Sequence, residues 1–359
     1  MADTRTVTMR GLKKCIRRCV ESKRPAMIWG PPGIGKSDGI KQMCDEMGGI
    51  LYDIRLSLLE PTDLRGVPYY NKESGKMEWA PPVDLPDEET ASKYPVVFVL
   101  FDEINSAAPS VQAACYQIAL NRKVGTYKLP DNAVIIAAGN REGDRGVTYR
   151  MPAPLSNRFI HFELRVDFDS WNEWATQNMI HRDVVGFLNF SKNHLYDFDP
   201  KSNSRSFATP RSWEFVSQIL DDQLDDVTLT DIISGTVGEG LALNFMTHRK
   251  VVGRLPRPSD ILKGKVDKLE VKEISAHYSL ATSCCYELKD WLENKKDMNE
   301  WHEMTNNFLS FLLDFAGPEV IVMAIRTAVQ VHKLPFKTSK MARWSEFNQK
   351  FGKLIMAAN

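Results

Sequence analysis

At 359 residues the chain is long enough for two or three domains with cores of their own. Its 46 Lys+Arg balance 46 Asp+Glu, so a formal net charge of +0 removes any bulk pull towards nucleic acid or an anionic membrane surface. The six cysteines form no Cys-x-x-Cys pair, Met1 to Arg10 lacks the apolar stretch of a signal peptide, and no apolar run approaches a membrane span, so a cytoplasmic protein with reduced thiols is expected.

Gly11 to Val20 carries Leu12, Cys15, Ile16, Cys19 and Val20 at helical spacing, with Lys and Arg on the other face. Cys15 and Cys19, one turn apart, read as core packing. Ala26 to Trp29 is a short buried strand. It runs into Gly30-Pro31-Pro32-Gly33-Ile34-Gly35-Lys36-Ser37, the P-loop spacing G-x-x-x-x-G-K-[ST]. Glycines let the backbone bend so that its N–H groups face a phosphate, and the helix that follows adds its positive end. Gly30, Pro31, Pro32, Gly33, Ile34, Gly35, Lys36 and Ser37 are therefore expected to bind nucleotide. Lys36 would reach the β- and γ-phosphates, and the Ser37 hydroxyl would ligate Mg2+. Ile40, Met43, Cys44 and Met47 give the next helix its apolar face, Gly48-Gly49 ends it, and Ile50 to Leu56 reads as a second strand.

From Ser57 to Pro86, Pro61, Gly66, Pro68, Gly75, Pro81 and Pro82 break the chain into an insert. Val67 to Asn71 and Met77 to Trp79 are placed to pair as a hairpin. The segment is too long for a plain connection and reads as functional. Asp84 to Tyr94 is polar, a solvated helix or loop.

Val96 to Phe101 is a continuous apolar run ending in Asp102-Glu103, the Walker B pattern. A buried parallel strand carries such carboxylates to the carboxyl edge of the sheet, where ligands bind in open α/β folds. Asp102 is the expected Mg2+ holder and Glu103 the group that orients and polarises the attacking water. Ser106 to Leu120 reads as a helix and Arg122 to Leu129 as a short hairpin arm. Ala133 to Ala138 is another buried strand, ending at Gly139-Asn140. Ile160 to Leu164 closes the sheet.

This constellation resembles the AAA+ ATPases, most closely the MoxR-like branch with its CbbQ- and NorQ-like members. The resemblance rests on Gly30 to Ser37, on L-F-D-E-I-N (Leu100 to Asn105), on A-A-G-N (Ala137 to Asn140), on L-S-N-R-F (Leu155 to Phe159) and on the insert segment Glu60 to Pro68, and it covers roughly residues 10 to 250. By resemblance, Asn140 stands as sensor 1, positioning water against the γ-phosphate. Arg158 stands as the arginine finger that reaches a neighbouring subunit's nucleotide, with Arg145 and Arg150 as competing candidates. Arg211, behind the N-cap Thr209 and Pro210, stands as sensor 2 of a helical lid.

The resemblance implies an α/β P-loop core with a parallel sheet over residues 1–165 with its hairpin insert at about 57–86, an all-α lid over 166–250, and an α-helical C-terminal extension over 251–359. Nothing beyond Lys250 resembles a known family. Pro256, Pro258 and Ser259 read as a linker, followed by helices over Val271 to Leu292, Trp301 to Phe315, Pro318 to His332 and Ala342 to Met356. His302 beside Glu303 reads as a surface pair. The activity implied is Mg2+-dependent ATP hydrolysis in a homo-oligomeric ring, a hexamer by resemblance. The ring would remodel or activate a client protein, often beside a von Willebrand factor A domain partner in that branch. Two rivals are a motor or loader acting on DNA, disfavoured by the zero net charge and the lack of a basic-aromatic stripe, and a nucleotide-gated scaffold without turnover.

Overall fold

The apolar runs of the sequence become the middle of a parallel sheet. The computed structural model describes residues 5–125, 127–141, 143–144, 148–266, 268–294 and 297–356. Its strands are β1 (Thr6–Val7), β2 (Ala26–Trp29), β3 (Ile50–Arg55), β4 (Val67–Asn71), β5 (Lys76–Ala80), β6 (Val97–Asp102), β7 (Lys123–Val124), β8 (Tyr127–Lys128), β9 (Ala133–Gly139) and β10 (Ile160–Leu164). The main sheet has the order β1-β10-β2-β9-β6-β3, all parallel. Every residue of β6 and β9 is buried, as expected of inner strands covered on both faces. The register pairs Trp29 with Gly139 and with Glu163, and Phe101 with Ala137. The carboxyl ends of β2, β9 and β6 therefore line one edge of the sheet.

The chain divides into two units, Met1–Ser170 and Trp171–Asn359. In the first, α1 (Met9–Glu21), α2 (Lys36–Glu46), α3 (Pro61–Arg65), α4 (Glu88–Ala91), α5 (Pro109–Asn121) and α6 (Ala153–Ser156) accompany the sheet. Thr8 caps α1, its hydroxyl accepting from Gly11 N at 3.2 Å, and Leu12, Ile16 and Cys19 form the buried stripe that the spacing predicts. The core gathers Met27, Ile54, Val97, Val99, Phe101, Val111, Ile118 and Ile135. The insert forms the expected hairpin as a separate two-stranded sheet, with Val67 paired to Ala80 and Asn71 to Lys76. Val67, Tyr69, Tyr70 and Met77 on it are exposed. Strands β7 and β8 form the second predicted arm. Two elements differ from the sequence reading. The polar N-terminus supplies β1, two residues too short to show a pattern, which pairs with β10. The proline-broken stretch before Val67 contains α3, with Pro61 in its first turn and a capping box between Glu60 and Asp63.

The second unit is helical: α7 (Phe168–Gln177), whose first residues belong to the first unit, then α8 (Arg182–Phe190), α9 (Pro210–Ile219), α10 (Asp226–Val237), α11 (Glu239–Val252), α12 (Pro258–Leu262), α13 (Ile274–Asn294), α14 (Met298–Phe315), α15 (Pro318–Arg326) and α16 (Trp344–Met356). Phe187, Trp213, Phe245 and His248 pack ring to ring at one end. Leu280, Cys284, Trp301, Phe308, Leu312 and Phe347 share a second cluster. The expected linker at Pro256 to Ser259 is instead the entry to α12. Pro258 takes the first-turn position where a missing N–H costs nothing, and Ile261 and Leu262 are buried in that cluster. The helix expected to run to His332 changes at Thr327 into a π-turn ending at Val331. His302 is half-buried rather than part of a surface pair; only Glu303 is exposed. All six cysteines are free thiols, five of them buried.

Candidate nucleotide-binding site

The residues singled out in the sequence sit largely along the carboxyl edge of the sheet. The loop after β2 turns through Gly33 at φ 75° and Gly35 at φ 82°, the left-handed region that only glycine occupies at little cost. Gly35 is the N-cap of α2, and a Cβ placed there meets no protein atom within 4 Å. The concave loop thus leaves room at its centre, and the helix N-terminus stands behind it. Lys36 Nζ donates to Gly30 O at 2.7 Å, Pro31 O at 2.9 Å and Asn140 Oδ1 at 3.1 Å. One ammonium joins both ends of the loop to the residue at the end of β9.

Ser37 Oγ donates to Asp102 Oδ2 at 2.6 Å, joining α2 to the end of β6. Asp102 is 8% exposed, and its other oxygen accepts from Glu103 N at 2.9 Å. This hydroxyl–carboxylate pair is a hard oxygen donor set of the kind that holds Mg2+ in phosphate-binding sites. Glu103 leaves the strand at φ 54°, a left-handed turn that directs its side chain off the sheet edge, and the hydroxyl of Ser57 donates to its carboxylate. Burial, and then the Asp102 carboxylate beside it, raise the Asp53 carboxyl above its ordinary range. Among the described residues no group of three or more His, Cys, Asp or Glu is gathered to hold a metal, so the oxygen pair is the feature that fits a cation here.

Asn140 is held by its neighbour across the edge. Asn105 Nδ2 donates to Asn140 O at 2.7 Å, and Asn105 Oδ1 accepts from Asn140 N at 3.2 Å. Ser57 and Asn105 are the two residues that the sequence reading left without a role. Ser57 has no spacing signature. Asn105 is a polar residue two positions beyond the Asp-Glu pair, next to the buried Ile104, and that mismatch was the only available signal.

The cationic candidates are distributed otherwise. Arg158 is exposed, just ahead of β10, with its N donating to Leu155 O at 2.8 Å, and takes no part in the hydrogen-bonded cluster around Lys36. Its turn is tethered. Trp29 Nε1 donates to His161 Nδ1 at 2.8 Å, which leaves the proton on Nε2, and that nitrogen donates to Ser156 O at 2.7 Å. Arg150 is exposed as well, whereas Arg145 lies outside the described residues. Arg141, between them, is committed to Glu163 and to Leu164 O. Arg211 belongs to the second unit, exposed at the second position of α9, where Thr209 caps the helix by accepting from Ser212 N at 3.0 Å.

Residues 26–161 match the AAA_3 family model, described as the ATPase family associated with various cellular activities. This segment is an AAA-family ATPase domain. The match starts at the first residue of β2 and ends inside β10, so the AAA domain takes in the P-loop, the Asp-Glu pair, Asn140 and Arg158. No curated protein matches the chain. Among solved structures, a candidate ATPase of Cytophaga hutchinsonii ATCC 33406 is 15% identical with a TM-score of 0.34, the alignment covering 97% of this chain and 89% of that one. A point mutant of Thermotoga maritima RuvB is 16% identical over 72% of this chain and 77% of its own, with a TM-score of 0.38. NtrX from Brucella abortus is 12% identical over 85% and 69%, with a TM-score of 0.39. No helix among the described residues is long and apolar enough to cross a membrane.

Proposed function

We propose that this protein is a Mg2+-dependent ATPase of MoxR type that works as a homo-oligomeric ring to remodel or activate a client protein. The observation that carries the reading is the convergence of Lys36, Ser37, Asp102, Glu103 and Asn140 on one sheet edge around a glycine loop with open space at its centre. Phosphoryl transfer needs positioning and charge stabilisation more than covalent chemistry, and these groups supply both.

In this reading the loop N–H groups from Gly30 to Ser37 and the N-terminus of α2 take the phosphates, and Lys36 turns its ammonium from the loop carbonyls towards them. Ser37 Oγ and Asp102 hold Mg2+, which, when bound, neutralises charge on the phosphate oxygens. Glu103 orients and deprotonates the attacking water, and Asn140 fixes that water in line. Arg158 acts in trans on the neighbour's nucleotide, with Arg150 and Arg145 as competitors for the same task. Arg211 reports nucleotide state to the helical lid, residues 166–250. The exposed side chains of the β4–β5 hairpin support client contact, because apolar groups at a projecting tip have no role in its own packing. The client, with or without a von Willebrand factor A domain, follows from the MoxR resemblance.

The test of the site is nucleotide binding by titration calorimetry with Mg-ATP. Lys36→Ala should lose measurable binding, because a phosphate point charge goes. A Lys36→Ala protein that melts like the parent and binds ATP with parental affinity would remove the loop from the reading.

A further inference from the structure

We infer that Asn105 is a positioning residue for turnover, acting only through Asn140. The inference rests on the ATPase reading above and deepens it. Asn105 is 2% exposed, and its amide makes two bonds to one neighbour, donating to Asn140 O at 2.7 Å and accepting from Asn140 N at 3.2 Å. Both peptide groups that flank the Asn140 Cα are therefore pinned, and with them the direction of its Cα–Cβ bond. Asn140 Oδ1 then lies 3.1 Å from Lys36 Nζ.

The surroundings show that the arrangement is tight. Ile104 N donates to Ala138 O at 3.1 Å, which fixes the chain on which Asn105 is carried. A Cβ on Gly139 would fall 2.6 Å from Asn105 Oδ1, so the small residue before Asn140 is what lets the amide close on its partner. Asn105 O accepts from Tyr149 N at 2.6 Å, so the same residue anchors the segment that enters Arg150. Asn105 itself bonds neither Lys36 nor Glu103 in the hydrogen-bonded cluster of the described residues. It positions a group that does.

The experiment is a double-mutant cycle on steady-state ATP hydrolysis, with kcat and KM read separately. Asn105→Ala frees the Asn140 backbone and should lower kcat by about 10-fold or more while KM for ATP stays within about 3-fold, the split expected when an interaction made in the transition state goes. Asn140→Ala should do the same. The double variant should be no slower than Asn140→Ala alone, because two residues acting as a unit are not additive. Asn105→Asp keeps the acceptor for Asn140 N and the side-chain shape but loses the donor. It should sit between parent and Asn105→Ala, and it carries the test if the alanine variant does not fold. Multiplying losses in the double variant, or parental kcat in Asn105→Ala, would overturn the inference while the ATPase reading stands. A folded parental protein that hydrolyses no ATP would overturn both.

Discussion

Gly35→Ala separates strain from binding in one substitution. Gly35 has φ 82° and ψ 29°, so an alanine there sits in the left-handed region, at a cost of about 1–2 kcal/mol. Loss of glycine's freedom in the unfolded chain returns about 0.4–1 kcal/mol. The net loss is about 1 kcal/mol, because the new methyl has no protein atom within 4 Å to displace. For a unit of this size that lowers Tm by roughly 2–4 °C. Nucleotide binding should suffer more. With ATP bound, phosphate oxygens close to about 2.9 Å from the loop N–H groups, and the methyl occupies the open side of that loop. A drop in ATP affinity of about 10-fold or more, some 1.4 kcal/mol, is expected. Calorimetric titration with ATP and a thermal melt on the same preparation read both effects. Unchanged affinity beside the small Tm shift would refute a phosphate at Gly35. A fall in Tm beyond about 10 °C would refute the open space around it.

Three further outcomes follow from named residues. Lys36→Ala and Arg158→Ala should each be inactive, yet mixed rings should recover part of the hydrolysis, since some interfaces join an intact loop to an intact finger; no recovery in verified mixed rings shifts the trans role to Arg145 or Arg150. Replacing Val67 to Trp79 with a short Gly-Ser linker should leave folding and ATP binding intact but uncouple client action, because β4 and β5 pair only with each other; an unfolded product would make the hairpin part of the core. In the helical unit, burial lowers the His248 and His332 imidazoles from 6.5 to about 4, with Lys289 adding to the effect at His332 and Asp183 opposing it at His248. The unfolded chain takes up these protons below pH 6.5 and the folded chain only near 4, so each histidine contributes stability above pH 6.5 that is lost as pH falls through that window. Denaturant melts of His332→Phe should show a pH slope shallower by about 1.4 kcal/mol per unit between pH 6 and 4.5, and an unchanged slope would mean that His332 is already protonated when folded.

How much of the molecule was readable beforehand depended on pattern length. Strands β2, β6 and β9 were legible because inner parallel strands are continuous apolar runs, and their polar ends, Lys36, Asp102-Glu103 and Asn140, fell where such a sheet puts ligands. The cap at Thr209 was legible because a Thr-Pro pair opens helices by a local mechanism. Strand β1 has only two residues and exists through its pairing with β10, a contact that local sequence cannot announce. Helix α12 was misread because Pro256 and Pro258 suggest a breaker, while its burial comes from distant Leu309 and neighbours in the same cluster. Ser57 and Asn105 escaped for a related reason. Each acts on a residue that the fold brings alongside, 46 positions away for Glu103 and 35 for Asn140, and no spacing encodes that.

The central claim is that this sheet edge hydrolyses ATP with Glu103 activating the water. It is tested most directly by measuring phosphate release and nucleotide retention for the parental protein and Glu103→Gln side by side with Mg-ATP. The parent is expected to turn over. Glu103→Gln should bind ATP with parental affinity, retain it unhydrolysed, and release phosphate slower by about 10²-fold or more. Hydrolysis by Glu103→Gln at the parental rate would contradict the claim.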